Sequence, residues 1–275
     1  MSADDVTEEY LNAAISIARQ SGVLVQEAFH KEKLIETKQS FADLVTQTDE
    51  AVENLIHSFF MDKFPEHKFI GEETVAKGEK CELTDAPTWI IDPVDGTTNF
   101  VHRIPEVCIS IGLTINKEME VGVIYLPMLD RMYTTRKGHG AFCNGEKLSV
   151  QKAESLNTSI VIVESGSDRN QDVIKRKMEN TRKIVTNSRG IRSYGSAAFN
   201  LCRVAEGCAE AYIEYSLHIW DIAAGALLVR EAGGIAIDPE GGDLDLRSRR
   251  ILCASTEKIA LELSQILDHL QFERD

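Results

Sequence analysis

The segment Trp89-Ile-Ile-Asp92-Pro-Val-Asp95-Gly-Thr-Thr-Asn-Phe100 concentrates residue types that can do chemistry. Thr88–Ile91 is a short apolar run, consistent with a buried strand. Asp92 therefore sits at a strand's carboxyl end, where ligand crevices open in α/β sheets. Pro93 fixes its own φ and lacks an N–H, so regular pairing is expected to stop and the chain to turn. Asp92 and Asp95 can then face one point, with the backbone carbonyl of Val94 between them. Gly96 permits close approach of the backbone to a ligand. A helix starting near Thr97 would aim its N–H groups at whatever the carboxylates hold. Two carboxylates and a carbonyl, with no His or Cys nearby, make a hard oxygen site that favours Mg²⁺ over Zn²⁺. Asp-Pro and Asp-Gly are also ordinary turn dipeptides. Their joint occurrence directly after a buried strand shifts the balance towards a site.

Three other groups stand out. Glu72-Glu73 follows Phe69-Ile70-Gly71, again an apolar stretch ending in glycine. Asp221, within His218-Ile-Trp220-Asp221-Ile-Ala-Ala-Gly225, reads as the start of a helix rich in small residues; a plain N-cap aspartate is the alternative. Gly190-Ile-Arg-Ser-Tyr-Gly195-Ser-Ala-Ala198 reads as a helix start that either presents N–H groups to an anion or serves packing alone. Glu214 ends an apolar strand and either reaches a substrate hydroxyl or stays solvated. Nucleotide loops of the Walker type, H-E-x-x-H and G-x-S-x-G are absent, and Gly138-His-Gly140-Ala-Phe-Cys143 breaks the dinucleotide fingerprint at its last glycine.

The elements that must position these groups follow from periodicity. Val6, Tyr10, Ala13, Ala14, Ile17 and Ala18 recur at helix spacing, as do Val52, Leu55, Ile56, Phe59 and Phe60 behind Asp49 and Glu50. Residues 107–115 and 121–126 read as strands around a polar hairpin, and Asn144-Gly145 is a two-residue turn between 141–143 and 147–150. Beyond the polar connection 151–158, strands (159–163, 209–214, 234–238, 250–254) alternate with helices (172–183, 197–205, 221–232, and a last one burying Ile259, Leu263, Ile266, Leu267 and Leu270). Such alternation implies a layered α/β arrangement. The chain divides into an N-terminal α+β half, 1–150, and a C-terminal α/β half, 151–275, forming one compact catalytic unit.

The chain has 275 residues, 43% hydrophobic and 27% charged, the balance of an ordinary globular protein. Its net charge of −14 repels phosphate backbones, and no basic patch offsets it; Arg247–Arg250 reads as a solvated turn. Neither nucleic acid nor membrane is an expected partner, because no apolar run reaches the length of a span. The acidic start is unlike a secretory signal, and six scattered cysteines without C-x-x-C read as reduced thiols. A cytoplasmic location is expected.

Gly71-Glu-Glu73, Asp92-Pro-Val-Asp-Gly-Thr97 and Trp220-Asp-Ile-Ala-Ala-Gly225, in that order and spacing, resemble the three signature motifs of the inositol monophosphatase family. The similarity extends to Asp43–Asp49 and Gly190–Ala198, and so over nearly the whole chain. The resemblance implies a five-layer αβαβα sandwich of the sugar-phosphatase type, a homodimer, a Mg²⁺ requirement and inhibition by Li⁺. It implies that Glu72, Asp92 and the Val94 carbonyl hold one Mg²⁺, that Asp92, Asp95 and Asp221 hold a second, and that a weaker third lies near Glu72. Glu72 and Thr97 would orient the attacking water. Gly96 and Thr97 would give N–H groups to phosphate. Asp95, Ala197, Glu214 and Asp221 would meet the inositol moiety, with Gly195 and Ser196 lining the same wall. Lys38 matches a loop lysine near the site. The implied reaction is Mg²⁺-dependent hydrolysis of myo-inositol monophosphates. Two rival readings are a superfamily relative acting on fructose bisphosphate or a 3′-phosphorylated nucleotide, and a non-catalytic Mg²⁺ or Ca²⁺ module.

Overall fold

The computed structural model describes residues 3–38 and 40–275. In chain order it contains α1 (Ala3–Phe29), β1 (Ile35–Thr37), β2 (Leu44–Thr46), α2 (Gln47–Lys63), β3 (Lys68–Gly71), α3 (Glu72–Ala76), β4 (Thr88–Asp95), α4 (Thr97–His102), β5 (Cys108–Ile115), β6 (Glu118–Leu126), β7 (Arg131–Arg136), β8 (Gly140–Cys143) and β9 (Glu146–Lys147). After a short 3₁₀ turn come β10 (Ile160–Val163), α5 (Gln171–Asn187), β11 (Gly190–Arg192), α6 (Ala197–Ala205), β12 (Ala211–Tyr215), α7 (Ile219–Glu231), β13 (Ile235–Ile237), β14 (Arg250–Ala254) and α8 (Glu257–Ile266).

The strands form a β1–β2 ribbon, a seven-stranded sheet ordered β3 to β9, and a five-stranded sheet ordered β11-β10-β12-β14-β13. The layers run α1/α2, large sheet, α6/α7, small sheet, α5/α8, the expected five. Each interface is packed with buried apolar side chains. Trp89 of β4 stacks on Phe60 of α2 with ring centroids 3.8 Å apart, both fully buried, in a core shared with Ile17, Ile91 and Ile111. Truncating either ring would cost about 3–5 kcal/mol. The α6/α7 layer fills the space between the sheets with Leu201, Cys202, Ile222 and Leu228. There the small residues of α7 let the backbones close up: a Cβ at Gly122 of β6 would fall 2.8 Å from the Ala224 carbonyl. Ile259 and Leu263 of α8 cover the outer face of the small sheet.

Chain direction explains where chemistry can gather. β3 and β4 run parallel, so their carboxyl ends deliver Glu72 and Asp92–Asp95 to the same edge. β10 runs parallel to β11 and β12, so Glu164 and Glu214 emerge together.

The strand at Asp92 departs from expectation. It does not stop before Pro93 but continues to Asp95, with the register against β5 slipping by one residue between Asp92↔Ser110 and Asp95↔Cys108. A bulge accommodates the missing proline N–H and adds the local bend that brings both aspartates to one side. Hairpin β5–β6 turns on Asn116 and Lys117, at φ 53° and 65°, so β6 begins three residues earlier than periodicity suggests. The Asn144-Gly145 turn forms as expected, but β9 ends at Lys147. Arg250 is no solvated turn residue. It is buried, pairs with Asp238 at 2.9 Å and Glu240 at 3.2 Å, and donates to the Leu270 carbonyl. All six cysteines are free thiols. Among the described residues no helix is long and apolar enough to cross a membrane.

Candidate active site

A cleft of about 1060 Å³ opens where the two sheets' strand ends meet. It is lined by Glu72, Asp92, Val94, Asp95, Gly96, Thr97, Gly195, Ser196, Ala197, Glu214 and Asp221, and by Lys38. The residues that the resemblance names for the site therefore line one space, whereas Glu73 and Ala198 do not line it.

Asp92, Asp95 and Asp221 bring carboxylate oxygens within 4.8 Å of one another. Asp92 is held by the Val94 N–H, which donates to its Oδ1 at 3.0 Å. Asp95 Oδ2 accepts from Ser196 Oγ at 2.8 Å and from the Ala198 N–H at 2.5 Å. Asp221 is not the helix cap. The helix starts at Ile219 with His218 as N-cap, and the Asp221 carboxylate accepts the His218 N–H at 2.6 Å, closing the first turn from within.

Burial first, then the charges of Glu72, Asp95 and Asp221, push Asp92 well above the usual carboxylate range. Burial, then Asp95 and Glu72, does the same to Asp221. Burial raises Asp95 to about 6 against its three hydrogen bonds. None of the three aspartates forms an ion pair with a described residue. Among the described residues the one cation bonded to this acidic group is Lys38, whose Nζ lies 2.7 Å from both Glu72 Oε1 and Glu73 Oε1. An anionic pocket with so little bonded counter-charge suits cations, and its oxygen-only donors suit a hard divalent ion. The residues present thus fit a metal.

Thr97 opens α4, behind Gly96 at φ 89°. A Cβ at Gly96 would also meet the Glu106 carbonyl at 3.0 Å, so glycine is required twice over. The Thr97 hydroxyl lies 3.2 Å from Asp49 Oδ1 and 3.1 Å from the Val94 carbonyl.

The profile of the inositol monophosphatase family matches residues 6–271. The chain belongs to the inositol monophosphatase family. Inositol monophosphatase 1 of Rattus norvegicus is 47% identical, with 98% of both chains covered. Inositol monophosphatase 2 of Homo sapiens is 45% identical over 98% of this chain and 93% of that one. Among solved structures, inositol monophosphatase from Anabaena (Nostoc) sp. superimposes with a TM-score of 0.81 at 29% identity, covering 95% of this chain and 96% of that one. The family hydrolyses phosphomonoesters, and this chain is a member enzyme.

Two family motifs serve differently from a plain reading of their residues. The residues of the α6 start suit either an anion cradle or packing alone, and in the structure their N–H groups face the protein's own carboxylates. Ala197 and Ala198 donate to Asp95, while Tyr194 and Gly195 donate to Glu164 at 2.6 and 2.9 Å. The Ser196 hydroxyl is likewise turned inward, donating to Asp95 and accepting from the Phe199 N–H. Glu214 is buried at the cleft wall and accepts from the Tyr212 hydroxyl; burial, then Glu164, raises it to about 8.

Residue-by-residue reading missed three supports. Asp49, third residue of α2, holds the Thr97 hydroxyl. Glu53, also on α2, caps α3 by accepting the N–H groups of Glu73 and Thr74, each at 2.8 Å, and so aims Glu72. Glu164 was findable, because it follows a recognised strand just as Asp92 does.

Proposed function

We propose that this protein hydrolyses myo-inositol monophosphates to inositol and phosphate, with Mg²⁺ as its cofactor. The observation that carries this reading is the convergence of Glu72, Asp92, Asp95 and Asp221 beside Thr97 in one cleft of a chain belonging to this family. Glu72, Asp92 and the Val94 carbonyl would hold one Mg²⁺, Asp92, Asp95 and Asp221 a second, and Glu72 would contribute to a weaker third. Ions bound there supply positive charge to the phosphoryl oxygens and acidify water at neutral pH.

The chain's own groups do the rest. A hydroxyl that donates backwards to a carboxylate presents its lone pairs forwards, so Thr97, backed by Asp49, is set to accept a proton from water in the cleft. Glu72 is a second acceptor for the same water. Gly96 and Thr97 offer backbone N–H groups to phosphate. Asp95, the Ala197 backbone, Glu214 and Asp221 meet inositol hydroxyls, and Gly195 and Ser196 shape that wall. Lys38 neutralises Glu72 and Glu73 until cations and substrate arrive. Residues 1–150 and 151–275 act as one unit here, since each contributes carboxylates to the cleft. The working form is a cytoplasmic homodimer inhibited by Li⁺.

Phosphate release from inositol 1-phosphate, fructose 1,6-bisphosphate and 3′-phosphoadenosine 5′-phosphate, with Mg²⁺ and with added Li⁺, tests the reading. Turnover is expected to favour inositol 1-phosphate, to require Mg²⁺ and to fall with Li⁺. Preference for either bisphosphate moves the enzyme elsewhere in the superfamily. Metal binding without release of phosphate leaves only a binding module.

A further inference from the structure

Lys177 of α5 is a buried lysine with no part in the mechanism above. Burying an ammonium is costly unless it is bonded and faced by opposite charge. Its Nζ donates to the Ser165 carbonyl at 3.0 Å and to the Tyr215 carbonyl at 2.8 Å. Those carbonyls belong to the segments leaving β10 and β12, parallel neighbours whose carboxyl ends form the cleft wall. The lysine therefore ties the 165–169 loop to the strand end that carries Glu214.

The same ammonium stands behind the Glu214 carboxylate. A side chain begun at Gly166 would lie 3.1 Å from Lys177 Nζ and 3.4 Å from Glu214 Oε1, so both charges reach one point beneath the loop. Asp168, Arg169 and Arg249 also face Lys177, while Glu164 and Asp95 add negative charge around Glu214. Burial and those two acids favour the protonated form of Glu214; the Tyr212 hydroxyl and Lys177 oppose them.

We propose that Lys177 is a specificity-determining positioning residue, clamping the 165–169 loop to the end of β12 and so fixing the Glu214 carboxyl where it meets the ring hydroxyls of an inositol phosphate. The proposal rests on Glu214 meeting those hydroxyls, as read above. It predicts an effect on recognition of the inositol ring and not on phosphoryl transfer itself.

The test compares kcat/KM for inositol 1-phosphate with that for glycerol 2-phosphate, a monoester without the ring. Lys177→Met removes charge and donors; Lys177→Gln removes the charge, keeps a donor and serves if the first variant does not fold. Either is expected to lower the inositol-to-glycerol ratio about tenfold or more, mainly through KM, with glycerol 2-phosphate turnover within about twofold of wild type. Glu214→Gln should lower the ratio similarly, Lys177→Arg should restore part of it, and Lys177→Met/Glu214→Gln should be no worse than either single variant. Equal losses on both substrates, or an unchanged ratio in the lysine variants while Glu214→Gln lowers it, would overturn the role of Lys177 and leave the proposed reaction standing. An unchanged ratio in Glu214→Gln would remove the polyol contact and this inference together.

Discussion

Asp92 is buried and the side chain of Glu206 is only 6% exposed, and the surroundings of the two carboxylates are opposite. Glu206, at the end of α6, accepts from the Tyr133 hydroxyl at 2.7 Å and from Arg203 at 2.7 Å, and it also pairs with Arg131. Its charge is answered twice by guanidinium groups from this chain. Asp92 sits among Glu72, Asp95 and Asp221, and among the described residues the backbone donor that answers it is the Val94 N–H. A charge closed by its own neighbours serves the fold. A charge left open costs the fold and is retained for something that binds. On the proposed reading, the two clusters separate structural from functional acid within one molecule.

The widest gap between them should appear on neutralising Asp92. Asp92→Asn keeps the shape and the acceptor for the Val94 N–H. Its Mg²⁺-dependent kcat should fall by more than about 10³-fold, which is roughly 4 kcal/mol of transition-state stabilisation. Its melting temperature without metal should be unchanged or higher, because a repelling charge is gone. Near wild-type turnover would refute the metal role. Glu206→Ala should do the reverse. Two guanidinium groups and a tyrosine hydroxyl lose their shared partner, a loss of about 3–5 kcal/mol in denaturant unfolding. Turnover per folded molecule should stay close to wild type.

The paired cluster was invisible in the sequence, whereas much of the open one was legible. Asp92 and Asp95 were findable because a strand, a proline and a glycine bracket them, and punctuation of that kind survives in one dimension. The bounds of α6 were read correctly because its apolar spacing is unbroken between Ser196 and Glu206. Strand β7, Arg-Met-Tyr-Thr-Thr-Arg, escaped because its ends and one face carry polar side chains that erase any apolar alternation. The β1–β2 ribbon escaped because β1 is wholly exposed and carries no burial pattern. Pro93 misled for a physical reason: a missing donor ends a regular ladder, but a bulge lets the strand go on. Glu206 resembled any helix-end glutamate, since both arginines reach it only through the tertiary fold.

Metal removal sharpens the comparison through pH. Asp95 is raised to about 6, and Asp92 and Asp221 lie well above an ordinary aspartate near 3.8. A carboxyl raised on folding binds its proton more tightly in the native state, so unfolding releases protons and stability falls as pH rises. That contribution is complete below about pH 4 and is lost through pH 6 and beyond. Chelated protein should therefore melt several degrees lower at pH 8 than at pH 5. Added Mg²⁺ should remove most of that slope, and Asp92→Asn should flatten it without metal. A chelated melting temperature that climbs with pH would mean that the aspartates find their compensation inside the protein.

The subtlest expected effect lies at Asp49, which belongs to both kinds of acid. One oxygen is structural: Oδ2 accepts from the Thr46 N–H at 3.0 Å and from the Thr46 hydroxyl at 2.5 Å, capping α2. The other oxygen accepts from Thr97. In Asp49→Asn only one oxygen remains. The Thr46 N–H cannot turn into an acceptor, so the amide must keep its oxygen there and present its NH₂ to Thr97. The direction of that hydrogen bond is then reversed, and the Thr97 hydroxyl is forced to donate elsewhere, towards the Val94 carbonyl or the cleft. A threonine that donates into the cleft no longer accepts a proton from water. We expect kcat to fall about tenfold, the value of one hydrogen bond to a charged group, with KM and melting temperature little changed. A loss confined to melting temperature would return Asp49 wholly to the cap, beside Glu206, and leave Thr97 to act without it.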